Sequence, residues 1–242
     1  MGKPIKKTDL KTAWAKRILS HTKEARLAEY RKILVVTQDS ESSKTYLTEW
    51  RSRLHGASTI VDVVKSVKAP MQIVQSLIAR RKELEHRIAR DKNLDSFAFD
   101  EVWVAFDKDS FPDFDSAVVT LRAMAPDGYY EAWTNECFEL WYLLHYGAVD
   151  ATCPLPRYEI FDKCSELFNT PDYESDKGKD GIHRSMAQKP IDEVRSAIKR
   201  ATAIELAVKA AHGASAQPSA LNPTTKLHHL ISRFLEMTES VK

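Results

Sequence analysis

The chain is predicted to be an α/β protein: a mostly parallel sheet with helices on both faces, continued by a helical C-terminal extension. Three observations predict this. Four short strand-like runs, the first three rich in β-branched residues, recur before residue 150. Each is followed by a segment whose apolar residues fall at helical spacing, and the strand-like runs then stop. Alternating strand and helix calls for parallel pairing through right-handed crossovers, with the connecting helices covering the sheet.

The elements follow in order. Residues 1–31 form a basic, charged arm, helix-prone from Leu10 to Tyr30, whose ordinary role is a solvated face. Residues 32–150 form the α/β domain. Its first strand is KILVVTQDS, continuous and apolar as a strand buried on both faces must be. Tyr46, Leu47, Trp50 and Leu54 then mark a helix that Gly56 ends. STIVDVVKSV is the second strand, and Pro70 opens a long helix with a charged outer face. EVWVAFDKD is the third strand, followed by a helix from about Asp113 to the turn Pro126-Asp127-Gly128. YYEAWTN is the fourth strand and CFELWYLLHYG an apolar helix. Residues 151–242 are expected to be mainly helical and packed on the sheet domain. The helix IDEVRSAIKRATAIELAVKAA there presents Val194, Ile198, Ile204 and Val208 on one side, and Gly213 ends it. After the turn at Asn222-Pro223, Thr224 starts a last helix, KLHHLISRFLEM.

Bulk properties exclude several classes. With 242 residues, 43% hydrophobic and 29% charged, the composition is that of a globular protein. The formal net charge of +2 means that a nucleic-acid site, if present, is a local patch. No apolar run reaches the roughly 20 residues a bilayer demands, and the basic N-terminus has no apolar signal core, so a cytoplasmic protein is expected. Cys137, Cys153 and Cys164 have no ligand or disulfide spacing, and there is no Gly-rich phosphate loop for ATP hydrolysis.

In open α/β sheets, ligands bind outside the carboxyl ends of the strands. The residues that fall there are Thr37-Gln38-Asp39, Asp107-Lys108-Asp109 and Thr134-Asn135, with Glu139 a helical turn beyond. Asp107 and Asp109 are two apart, so a strand extending that far sends both carboxylates to one face. With a third acid from a neighbouring strand they would form an all-oxygen site of the kind Mg2+ and Mn2+ prefer. An Asp-x-Asp in a loop is ordinarily just solvated; its position directly after VWVAF is what singles it out.

The blocks KILVVTQDSESSKTYL, VWVAFDKDSFPDFDSAV and YEAWTNECFELWYLLHYG, in this order, closely resemble the three core blocks of RloB-like proteins, and NPTTKLHHLISRFL resembles that family's ending. The resemblance implies a Toprim-like domain, related to OLD-type nucleases, primases and topoisomerases and found in restriction and phage-defence loci beside an ABC-type ATPase. It further implies that an acid after the first strand and the Asp-x-Asp after the third hold divalent metal, completed by the later Thr-Asn…Phe-Glu block. Carried over, these are Gln38, Asp107, Asp109, Thr134, Asn135 and Glu139.

Two positions depart from the family pattern. Gln38 stands where such proteins usually have Glu; its amide oxygen can coordinate a metal but cannot take a proton at neutral pH. Glu136 stands where Pro is frequent, which touches loop shape. Three explanations for Gln38 remain open: a degenerate, binding-only member, compensation by Glu41, or an inactivating replacement.

Among the other candidates, His145 on the apolar helix reads as a core histidine, and Trp133 and Trp141 as packing residues. Lys177, Lys179, His183 and Arg184 form a basic cluster in YESDKGKDGIHR, either solvated or touching phosphate beside the metals. The adjacent His228 and His229 lack the i, i+4 spacing of a helical metal pair. The expected function is a metal-dependent nuclease acting on DNA or RNA, with Gln38, Asp107, Asp109 and Glu139 as the catalytic set. Lys108, Asn135, Lys177, Lys179 and Arg184 would contact substrate, and two metal ions would polarise the scissile phosphate and activate water. The alternatives are a non-catalytic Toprim-like subunit docked on an ATPase and a Rossmann-like nucleotide-binding enzyme. The absence of GxGxxG counts against the latter.

Overall fold

A computed structural model of the chain describes residues 31–38, 41–54, 59–66, 68–91, 99–176, 181–213 and 215–239. The N-terminal arm, Gly56, Lys177 and Lys179 lie outside the described residues.

Four strands, β1 (Arg31–Thr37), β2 (Thr59–Lys65), β3 (Glu101–Ala105) and β4 (Tyr129–Glu131), form one sheet in the order β2-β1-β3-β4. All three pairings are parallel, as the strand–helix alternation requires. β1 and β3 occupy the middle and are apolar after their first residues: Ile33, Val35 and Val36 are buried, and so is every residue of β3, Glu101 included. Such strands have no solvent face on which polar residues could alternate.

Helices flank the sheet. α1 (Ser42–Arg53) buries Tyr46, Leu47 and Trp50, the spacing seen in the sequence. α2 (Pro70–Arg90) starts on its proline, whose missing N–H is no loss at a helix start, and buries Ile73, Val74 and Leu77. α3 (Phe114–Ala123) buries Phe114, Ala117, Val118 and Leu121, and Asp113 at its cap accepts the Met71 N–H of α2 at 3.0 Å.

Two expectations are corrected in this half. The third strand ends at Ala105 and does not run through Asp109; Asp107 makes only an isolated bridge to Thr134. The fourth strand is not continuous. It breaks after Glu131, and its second piece, β5 (Thr134–Asn135), pairs antiparallel with β6 (Thr224–Thr225). Thr224 therefore belongs to a strand rather than starting the last helix, which begins at Leu227. Two-residue strands carry no periodicity, which is why the sequence does not reveal them.

The apolar helix α4 (Leu140–Tyr146) is followed by α5 (Arg157–Phe168), the short α6 (Tyr173–Asp176) and α7 (Ile182–Ala187), the long α8 (Ile191–His212), and α9 (Leu227–Glu239). α8 buries Val194, Ala197, Ala201, Ile204 and Val208, with Ile198 at the margin. These helices share one hydrophobic core with the sheet. Polar ties reinforce the packing. Arg200 of α8 donates to the carbonyls of Leu144 and His145 at 2.7 and 3.1 Å, which the end of α4 leaves without helical partners. Lys226 N–H donates to the Trp133 carbonyl at 2.7 Å. Arg233 of α9 grips Glu101 at the start of β3 through Nη2 at 2.6 Å, and Trp103 Nε1 donates to the same carboxylate at 3.0 Å. No described helix is long and apolar enough to cross a membrane.

The turn into β4 depends on Gly128. Its φ of +84° is left-handed, and a Cβ there would stand 2.6 Å from the Asp100 carbonyl oxygen. Backbone cannot yield as a flexible side chain would, so Gly128→Ala combines positive-φ strain with a steric clash. A loss of about 2 kcal/mol or more is expected in urea unfolding. An unchanged midpoint would show that the turn can relax.

Candidate functional site

The order β2-β1-β3-β4 means that the chain leaves β1 toward one edge of the sheet and later builds β3 on the other side. The carboxyl ends of β1 and β3 therefore border the crevice at which strand order reverses, the usual ligand position in open parallel sheets. Gln38 follows β1 and Asp107 follows β3 by two residues. The register pairs Thr37 with Ala105, and Gln38 N–H donates to Ala105 O at 2.9 Å.

The Gln38 side chain spans this junction. Its Oε1 accepts the Asp107 N–H at 3.1 Å and its Nε2 donates to the Lys68 carbonyl at 3.2 Å. Both ends of the amide are thus used. A cavity of about 10 Å3 beside it, lined by Ser43, Phe106, Asp107, Ala132 and Phe138, has room for about a single water. A roomier cleft of about 450 Å3, bordered by Tyr146, Phe168 and Pro171, lies at a different place and carries none of the expected catalytic acids.

Beyond Asp107 the chain turns sharply. Lys108 N–H donates to Thr134 O at 2.9 Å and Asp109 N–H to Glu136 O at 3.2 Å, with Asp109 in a left-handed conformation at φ +43°. Strand alternation does not apply there, so Asp109 is not aligned with Asp107 by the period-two rule. Its carboxylate accepts a hydrogen bond from Arg157 Nη1 of α5. Arg157 also lies over the Phe161 ring at 5.3 Å, and its Nε is buried without a hydrogen bond. Burial would lower the pKa of Arg157, but the ion pair with Asp109 outweighs it and leaves the guanidinium more firmly charged.

Glu139 is buried at the cap of α4. Ser42 Oγ donates to its Oε1 at 2.7 Å and Tyr173 OH to the same oxygen at 3.3 Å. Asn135 is also buried. Its Nδ2 donates to Ser219 O at 2.9 Å, so its donor group is spent on the short turn Pro218–Ala220, while its Oδ1 has no hydrogen bond. Arg184 is exposed and lies 3.4 Å from Glu49 of α1. His183 is buried against Tyr142, whose OH is 2.9 Å from its Nδ1. Cys137, between Asn135 and Glu139 in the chain, is buried. Desolvation, reinforced by Glu139 and Asp107, pushes its thiol up, so it is no nucleophile at neutral pH.

The structure thus brings Gln38 and Asp107 together, pairs Asp109 with Arg157, and places Glu139 and Asn135 in buried hydrogen-bond networks. Among the described residues, no three acidic, histidine or cysteine ligand atoms at the sheet edge lie within 4.8 Å of one another; the set that does is Glu205, His228 and His229. Arg157, Ser42 and Tyr173 are contacts that the sequence did not reveal. An arginine after a proline-rich stretch or a serine in a helix carries no local mark of the acid it meets. The Ser in DSESSK directly after a strand end is the nearest to a signal.

This architecture, a parallel α/β sheet with acids at its switch point and a helical extension closing over them, defines the class. A family model described as RloB-like protein matches residues 33–234, and the chain belongs to that family. No curated protein and no solved structure matches the chain.

His145, the remaining candidate, is buried with both ring nitrogens lacking hydrogen bonds, its ring edge-on to Trp141 at 5.0 Å. Burial, then Lys189 and Arg200, lower its pKa to about 3. The unfolded chain takes up this proton near pH 6.5 and the folded chain does not. Stability is therefore unaffected above pH 6.5 and falls progressively from there toward pH 3, by about 2 kcal/mol at pH 5. His145→Leu should remove that share of the acid sensitivity in unfolding measured from pH 7 to 4. An unchanged pH profile would show that His145 ionises in the folded protein.

Proposed function

We propose that this chain is the Toprim-type nuclease subunit of a bacterial anti-phage system working with an ABC-type ATPase, and that Gln38 impairs its phosphodiester-cutting site. The observation carrying this reading is the hydrogen bond that joins Gln38 to Asp107 at the switch point of a parallel sheet. The position expected to carry a metal-binding acid and the first acid of the Asp-x-Asp meet there. The family resemblance supports the nucleic-acid substrate, DNA or RNA, and the ATPase partner.

The donor set would suit a hydrated Mg2+ or Mn2+ with Asp109 freed from Arg157. Such ions accept one or two carboxylates and keep several waters, and Asp107 and Asp109 can supply those carboxylates. Gln38 can add only a neutral oxygen. A bound ion would supply Lewis acidity, polarising the phosphate and lowering the pKa of water. Lys108, next in sequence to the two acids, and Arg157, once released from Asp109, would neutralise phosphate oxygens. Gln38 cannot act as a base.

The alternative is a non-catalytic binding subunit. Its specific support is that Gln38 satisfies both Asp107 N–H and Lys68 O without any cation, while Arg157 already neutralises Asp109.

Gln38→Glu separates the two. It replaces the amide N–H2 with a carboxylate oxygen facing the Lys68 carbonyl. Without divalent metal this should cost about 1 kcal/mol, lowering the melting temperature by roughly 2 to 4 °C. Mn2+ should reverse the loss. With the ATPase partner present, metal-dependent cleavage of labelled DNA or of transfer RNA should rise by roughly 10² to 10⁴. Asp107→Ala in that background should abolish it. If the Gln38→Glu protein binds no divalent ion and cuts neither substrate, the binding-subunit reading replaces the nuclease.

A further inference from the structure

Glu205 lies on the buried side of α8, and His228 and His229 are in the first turn of α9, far in sequence from Gln38 and Asp107. His229 Nε2 is 3.1 Å from Glu205 Oε2, and His228 Nε2 is 3.3 Å from the same oxygen. All three ligand atoms lie within 4.8 Å of one another. The spacing that argued against these histidines treats them as a pair on an ideal helix. Here they flank a third group contributed by another helix, and their rings have centroids 4.0 Å apart with planes tilted by 35°.

His228 has an oriented ring. Its Nδ1 is 2.9 Å from the Thr225 carbonyl, and because a carbonyl only accepts, Nδ1 carries the proton. In the neutral ring this leaves the lone pair on Nε2. This is the arrangement in which a backbone carbonyl orients a metal-ligating imidazole. His228 is 2% exposed, and its Nε2 makes no hydrogen bond despite facing Glu205. A buried lone pair aimed at a carboxylate oxygen is repulsive unless a proton or a metal ion lies between them.

The separations fit such a cation. Metal–ligand distances of roughly 2.0 to 2.1 Å in a tetrahedron place adjacent ligand atoms about 3.3 Å apart. The other carboxylate oxygen, Oε1, is taken by the ammonium groups of Lys209 and Lys226, which leaves Oε2 to the histidines. Two ammonium groups so close disfavour a hard ion held by charge alone. They are better tolerated by an ion that gains its affinity from imidazole nitrogen.

We infer that Glu205, His228 and His229 form a binding site for a zinc-class transition-metal ion, with an open position on the half-exposed side of His229. It is separate from the sheet-edge acids and independent of the nuclease reading. Its place in the fold gives it a structural consequence. His228 is bonded to Thr225, the Thr225 hydroxyl is 2.8 Å from that of Thr134, and Thr134 bridges Asp107. An ion here would pin α8 and α9 to the short ribbon that supports the sheet edge.

The test uses the full chain without a histidine tag. Equilibrium dialysis with Co2+ should give 1:1 saturable binding, with the visible absorption of a four-coordinate ion, and Zn2+ should displace it. Outer ligands alone contribute roughly 10- to 100-fold to metal affinity, so loss of a direct ligand in His229→Ala should weaken binding by at least that factor. His229 is half exposed, so this variant should fold, which circular dichroism can verify. Lys209→Ala, removing a nearby positive charge, should tighten binding. Asp107→Asn should leave it unchanged. Zn2+ should raise the melting temperature of the parent chain and not that of His229→Ala. Absence of 1:1 binding, or equal binding by the parent and His229→Ala, would overturn the assignment, and loss of binding in Asp107→Asn would move the ion to the sheet edge.

Discussion

The parallel pairing of β1 with β3, from Ile33 opposite Glu101 to Thr37 opposite Ala105, is the constraint on which the remaining structure depends. Both strands are apolar on both faces, so their register cannot rest on an inside–outside alternation. Beyond Thr37 and Ala105 the pairing is continued by bonds that are no longer regular sheet. Gln38 reaches Ala105 and Asp107, and the segment after β3 exchanges bonds with Thr134 through Thr134 N–H to Phe106 O and Lys108 N–H to Thr134 O. Thr134 in turn meets Thr225. A lateral ladder thus runs from the end of β1 to the strand that precedes the last helix, and it positions the sheet-edge residues relative to one another.

The helical extension supplies counter-charges at both ends of β3. Arg233 from α9 reaches Glu101 at the first position of the strand, and Arg157 from α5 reaches Asp109 beyond its end. The two pairs differ in solvent access. The Glu101 side chain is 8% exposed, and although burial raises its pKa, the bonds from Arg233 and Trp103 outweigh this and hold the carboxyl below the usual range. The Asp109 side chain is 34% exposed. Water can replace a guanidinium at the second site far more readily than at the first, where a lost partner would leave a charge buried. The first pair is therefore suited to holding the fold, and the second to exchange.

The sequence made the sheet legible because four apolar runs alternating with helical spacing have few other solutions, and because Pro70 and Gly213 mark helix ends by their backbone chemistry. It also placed Gln38 and Asp107 at strand ends, where topology alone brings them together. What it could not show were features without periodicity. β5 and β6 are two residues each, and the break after Glu131 has no proline or glycine to announce it. The turn that sends Asp109 to positive φ lies in a segment that composition reads as more strand. Arg157 and Tyr173 meet Asp109 and Glu139 across 48 and 34 residues of chain, so their partners are fixed by tertiary packing. The contact of Glu205 with His228 and His229 escapes the sequence for the same reason, since Glu205 lies on another helix.

The two-ended hydrogen bonding of Gln38 has a consequence for how such a chain can change by descent. An amide there satisfies an N–H and a carbonyl together, so the fold at this junction is complete with no ion present. A carboxylate would satisfy the N–H and oppose the carbonyl, making folding and ion supply interdependent at that position. If an ion is held at this junction, a change from acid to amide would relax a dependence on it, whereas the reverse step would restore it. A lineage that once adopts glutamine here can accumulate changes around Lys68 and Asp107 that presuppose an ion-free junction. Each such change would make an acid at position 38 harder to accommodate.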